Sequence, residues 1–229
     1  FLDLRPFTIR NFTLAVSVIL ISFGAMLGFA TVLPIYLQTS LGVTALVTGL
    51  VVMPGGVFQA IMSPFVGRLF DSYGPFPLAI PGTILMLIGV GSMITLSEES
   101  AVWMVVAMHI TFSVGMAMMM TPMMTTALSS LPDNLYSHGS AGMNTVQQLA
   151  GATGTAILVV FLTRGTIAGT ESGMTEAAAT AQGATMAFTF AAACMLVVVC
   201  LVPFVKRVNN DPELVEVTEP VSKDEAAKA

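Results

Sequence analysis

Between Arg10 and Glu98 this chain carries only two charged side chains, Arg68 and Asp71. The stretch on either side of that pair is apolar over about 20 residues or more, which is what roughly 30 Å of hydrocarbon asks of a helix. The same pattern continues to the end. Apart from the two termini, the charges are Arg68, Asp71, Glu98, Glu99, Asp133, Arg164, Glu171 and Glu176, all at or between apolar runs. A helix on a soluble core keeps one wet face and spreads charge along it. These runs are apolar all round, and charged residues are 9% of the chain against about 25% in soluble domains. The chain therefore belongs in a bilayer.

Six runs are long enough to cross: Asn11–Gln38, Leu46–Leu69, Phe76–Leu96, Val102–Leu128, Gly139–Leu162 and Ala181–Val205. Each is expected to be helical, because a lipid-embedded segment must satisfy its own backbone hydrogen bonds. The alternating segments of about ten residues that mark a membrane β-barrel are absent. The expected fold class is all-α and integral to the membrane, a bundle of six transmembrane helices over residues 1–205. Residues 206–229 read as a disordered, acidic cytoplasmic tail, polar and without periodicity.

Lys and Arg near the span ends set the orientation. Arg5, Arg10, Arg68, Lys206 and Arg207 fall on one side, and Arg164 alone on the other, beside Glu98, Glu99, Glu171 and Glu176. Both termini are thus expected in the cytoplasm, in a multi-pass protein of the cell (plasma) membrane. The polar stretch Gly67–Pro75 reads as a short cytoplasmic hinge, and the Gly-, Thr- and Ala-rich stretch Thr163–Thr180 as a flexible external loop.

No basic stripe points to nucleic acid. Cys194 and Cys200 lie in one run, separated by roughly 9 Å of helical rise and on different faces, so they do not bond each other. The run after Arg10 is too long for a secretory h-region. A chain opening on Phe is expected to be a fragment of something longer. Enzyme signatures are missing as well. Gly139-Ser140-Ala141-Gly142 is not a nucleophile elbow, His109 and His138 lack metal-ligand partners, and no phosphate loop or dinucleotide fingerprint occurs. Neither a cofactor nor a metal is expected.

Several polar or irregular features sit inside the spans. Pro34, Pro54, Pro64, Pro81 and Pro122 each remove a backbone donor and are expected to kink their helices. Such breaks suit a protein that changes shape, although proline is in any case more frequent in membrane helices than in soluble ones. Gly24 and Gly28 form a GxxxG pair, and Gly139, Gly142, Gly151 and Gly154 recur at helical spacing, as close helix contact in lipid requires. On the fifth span Asn144 and Gln148 share a face with Gly151 and Thr155, and serve either interhelical contact or a transport path. On the fourth span His109, Phe112, Met116, Met119, Met120 and Met123 follow a helical stripe. His109 is an ionisable group inside a span and so a functional candidate; its other reading is a neutral imidazole bonded to a neighbouring hydroxyl or carbonyl. The methionines form either a soft surface for varied apolar ligands or lipid-facing filler. Tyr36 fits an interfacial anchor, and Gln38 caps the first helix or faces a cavity.

Taken together, Gly67-Arg68-Leu69-Phe70-Asp71-Ser72-Tyr73-Gly74-Pro75 resembles the cytoplasmic loop motif of the major facilitator superfamily, in its weaker second-half copy. Leu33-Pro34-Ile35-Tyr36-Leu37-Gln38, Met53-Pro54-Gly55-Gly56 and the run from Gly142 to Ala156 look like the fourteen-span drug:proton antiporters of the EmrB/QacA type. The basic residues usual after Asp71 are absent. The resemblance implies that this chain is the C-terminal six-helix half of a transporter, rocking against an N-terminal half about a central cavity. It implies that the first and fourth helices line the cavity, with His109, Phe112, Met116, Met120 and Gln38 on the substrate path. It also implies that the second and fifth meet the other half, with Asn144, Gln148 and Gly151 at the interface. In the loop motif Gly67 and Gly74 would allow close approach and a turn, Asp71 would face the next helix N-terminus, and Arg68 would supply a pairing charge.

The leading functional expectation is efflux of amphipathic or cationic small molecules by proton antiport. The alternatives are a related exporter of an endogenous metabolite, peptide or lipid, and a non-transport six-span scaffold or sensor. No Asp or Glu lies within a span, so a proton-carrying carboxylate would have to sit in the other half, or His109 would have to act.

Overall fold

The computed structural model describes residues 4–74 and 76–206, with backbone alone at 71 and 76. The expected acidic tail beyond Lys206, Arg207, and the facing of the Asp71 carboxylate lie outside the described residues and side chains. Among the described residues six helices are long and apolar enough to span a membrane: α1 Arg10–Ile35, α2 Ala45–Tyr73, α3 Phe76–Ser92, α4 Val102–Ser129, α5 Asp133–Glu171 and α6 Glu176–Leu201. Among the described residues there is no strand.

The order of packing decides which helices are central. α1 packs against α4, α5 and α6; α3 pairs with α4 and touches α6; α2 rests mainly on α4; α5 pairs with α6. Over its most apolar stretch 56% of α1 is buried, against 17% of α2 and 22% of α5. α1 is therefore the pillar of the bundle, and α2 and α5 present their outer faces to whatever lies beside it.

Small residues set these pairings, because no hydrophobic pressure drives helices together in lipid. A Cβ on Gly24 would lie 2.8 Å from the carbonyl oxygen of Ala150, and one on Gly28 2.8 Å from that of Gly154. The backbones of α1 and α5 thus touch along a glycine seam. α3 and α4 meet in the same way, with Gly82 against the Gly115 carbonyl and Gly89 against the backbone of Phe112.

Two expectations are corrected. The external stretch Thr163–Thr180 is not a flexible loop: α5 continues to Glu171, α6 begins at Glu176, and only four residues join them. The glycines that suggested flexibility are close contacts instead. A Cβ on Gly165 would lie 2.6 Å from the Cα of Gly183, and one on Gly169 2.8 Å from that of Ala179. Thr175 caps α6, its hydroxyl accepting from the Ala178 amide at 3.2 Å. At 39 residues α5 is roughly 58 Å long at 1.5 Å per residue, well beyond the hydrocarbon.

The second correction concerns the hinge. α2 runs on to Tyr73, so Gly67, Arg68 and Asp71 are helical. Among the described residues nothing lies within 4 Å of a Cβ added at Gly67, and Gly74 turns the chain, with φ 80°. No proline lies between Phe65 and Gly74, and a helix once started propagates until a residue stops it. The prolines do not end their helices. Pro34, Pro54, Pro64, Pro81 and Pro122 all lie inside helices that continue past them. Immediately after Pro34, α1 relaxes into a π turn over Tyr36–Ser40.

Candidate functional site

α1, α2 and α4 enclose an open groove of about 570 Å³. Met26, Phe29 and Ala30 of α1 form one wall, and Val52, Met53, Gly56, Val57, Gln59 and Ala60 of α2 another. His109, Phe112, Ser113 and Met116 of α4 form the back. These four α4 residues fall at i, i+3, i+4 and i+7, one stripe of a helix. The lining is apolar with three polar side chains, the proportion expected of a small-molecule site. Two lining residues, Ala30 and Ala60, stand four before Pro34 and Pro64. Their carbonyls lack the helical N–H that would otherwise serve them.

His109 is the polar centre of the groove. It is 9% exposed and its ring stacks on Phe29, with centroids 5.4 Å apart and planes 21° from parallel. Phe29 in turn packs on Phe112 at 5.1 Å and on Phe188 at 5.9 Å. The backbone of Val52 gives the imidazole one partner, while among the described residues Nδ1 has none. Gly55 on α2 makes room for the ring. A Cβ there would meet Cδ2 and Nε2 of His109 at 2.5 Å and the Ser113 hydroxyl at 2.6 Å.

Of the residues singled out on the substrate path, the fold brings His109, Phe112 and Met116 together in this groove. Met120 is half-buried, packed on the core one turn further along, and lines no part of it. Gln38 is exposed in the π turn at the far end of α1, also away from the groove. On α5, Asn144 and Gln148 are exposed, whereas Gly151 is buried against Leu27 and Phe23 of α1, inside this bundle. Gly67, Arg68 and Gly74 stand at the end of α2, away from the groove. Sequence reasoning missed Phe29, Met26 and the whole α2 wall. The available signal was Pro54-Gly55-Gly56, a run of two glycines in a helix that needed a close neighbour to explain it.

Among the described residues no group of His, Cys, Asp and Glu could hold a metal ion. A family model, Major Facilitator Superfamily, matches residues 2–155 of this chain. The chain belongs to the major facilitator superfamily. Among similar proteins are the lincomycin resistance protein LmrB of Listeria innocua, 41% identical over 164 residues, and the multidrug resistance protein Stp of Mycobacterium tuberculosis, 28% identical over 157 residues. The riboflavin transporter RibZ of Clostridioides difficile is 23% identical over 161 residues. These alignments cover 72%, 69% and 70% of this chain but 35%, 29% and 35% of the relatives. The chain thus spans about a third of the length of the curated relatives it matches. As a major facilitator chain it is a multi-pass membrane protein of a transporter family, not an enzyme. Its six helices fit one half of the superfamily's fold.

Proposed function

We propose that the complete protein exports amphipathic, often cationic, drugs across the cell membrane in exchange for protons, and that this chain is its C-terminal half. The observation that carries the reading is the groove between α1, α2 and α4. Its wall of Met26, Met53, Met116, Phe29 and Phe112 is soft and polarizable, and such side chains repack around ligands of different shape. The names of the relatives, lincomycin resistance and multidrug resistance, agree with that breadth.

In this reading the groove is half of a central cavity that opens to each face in turn as two bundles rock. The exposed faces of α2 and α5 meet the N-terminal half, where Asn144 and Gln148 find partners for amides that lipid cannot satisfy. Both termini of the chain are cytoplasmic, with Gly67, Arg68, Asp71 and Gly74 at that surface. Asp133, Glu171 and Glu176 stand at helix ends, so the proton is carried by the other half or by His109.

A second reading keeps the fold and changes the cargo to an endogenous metabolite. It is favoured by the Phe29–His109 stack, a face suited to a planar ring, and by the relative named as a riboflavin transporter. The full-length protein in proteoliposomes separates the readings. Uphill movement of a fluorescent amphipathic cation is expected only under an imposed pH gradient. Transport indifferent to that gradient removes the antiport mechanism, and movement of riboflavin but not of the cation selects the second cargo.

A further inference from the structure

A second, smaller cavity of about 210 Å³ lies where α1 begins and α6 ends, lined by Arg10, Asn11, Leu14, Phe204 and Lys206. Drug-sized ligands occupy pockets from roughly 300 Å³ upward, so this is room for a head group. Its two charged residues are both cations. Arg10 opens one apolar span and Phe204 closes another, which sets the pair where hydrocarbon gives way to the bilayer surface. Leu14 and the exposed ring of Phe204 supply an apolar wall.

Asn11 turns two surface cations into a built site. Its Oδ1 accepts from the Lys206 amide at 2.7 Å, and its Nδ2 donates to the Lys206 carbonyl at 3.0 Å and to the Ser130 hydroxyl at 2.7 Å. One side chain thus brackets both backbone polar atoms of a residue 195 positions away. Lys206 is held beside Arg10 by its main chain, and only side-chain torsions remain to be ordered when an anion arrives. The N-terminus of α1, whose N-cap Ile9 has no side-chain cap, adds its positive dipole end to the same place.

We propose that this cavity binds the phosphate of an anionic phospholipid, with Arg10 and Lys206 on the phosphate oxygens and Leu14 and Phe204 against the first carbons of an acyl chain. Basic pockets between helices at the membrane surface take anionic head groups, and the arginine fork matches two phosphate oxygens while lysine supplies a point charge. The site is independent of the groove and of what the protein transports.

Native mass spectrometry of the full-length protein in a neutral maltoside detergent, titrated with dioleoyl phosphatidylglycerol, tests the proposal. Phosphatidylglycerol is expected to bind in preference to dioleoyl phosphatidylcholine. Removing both charges with R10Q/K206Q is expected to weaken it about thirty-fold. R10K/K206R keeps binding, R68Q leaves it unchanged, and N11A weakens it with both charges intact. A double variant that holds phosphatidylglycerol like the parent overturns the site, as does equal affinity for phosphatidylcholine. Competition by chain-free glycerophosphate at the lipid's own concentration overturns the lipid assignment in favour of a soluble phosphate.

Discussion

Gly55 of α2 faces the imidazole of His109 on α4 so closely that a Cβ added to it would lie 2.5 Å from two ring atoms. The missing side chain is what lets α2 close the groove over the histidine. Gly55→Ala is therefore expected to push the ring off Phe29 or α2 off α4, at a cost of about 1–3 kcal/mol for overpacking. Thermal unfolding of the full-length protein in detergent checks this. Gly91→Ala on α3, with nothing within 4 Å of the new Cβ among the described residues, is the matched control and leaves the melting temperature unchanged or higher.

The α1–α5 seam offers a sharper test. Gly24 abuts the Ala150 carbonyl, main chain against main chain, and no rotamer change can relieve a collision there. Gly24→Val is expected to cost at least as much as Gly55→Ala and to lower the yield of folded protein on size-exclusion chromatography. A folded, fully active Gly24→Val protein would contradict the seam.

Tyr36 closes the other end of α1. Its buried hydroxyl donates to the Ser97 carbonyl at 2.6 Å, tying the π turn to the α3–α4 connection. Tyr36→Phe keeps the ring and removes the bond, a loss of about 1 kcal/mol. Faster hydrogen exchange is expected at Ser97–Ser100, with no change at the α1–α5 seam.

His109→Phe separates packing from proton chemistry. A phenyl ring preserves the stack on Phe29 and removes both nitrogens. If His109 carries the proton, the variant keeps its melting temperature and still binds an apolar fluorescent ligand, but loses accumulation driven by a pH gradient. Unaltered gradient-driven transport would assign the proton to the other half.

The six crossings and the helical class were legible because charge in hydrocarbon is prohibitive, and that cost acts residue by residue along the chain. The α4 stripe of His109, Phe112 and Met116 could be read for a related reason, since one helix fixes which of its own side chains share a face. Met120 and Gln38 lie away from the groove between α1, α2 and α4, a separation the sequence hides because a stripe has no marked end and a helix terminus no marked neighbour. The 163–180 stretch was misread because glycine means freedom in an isolated chain and contact in a packed one. Gly165 and Gly169 acquire the second meaning only when Gly183 and Ala179 are against them.

By itself, then, the sequence determined the solvent of this protein, the number of its crossings and the faces of its single helices. These follow from local free energies that depend on no partner. The tertiary structure alone decided that α1 stands at the centre, that α2 supplies half of the groove, and that Asn11 reaches Lys206. Each of those is a meeting of residues far apart in the chain, and the short-range rules of helix and hydropathy carry no term for it.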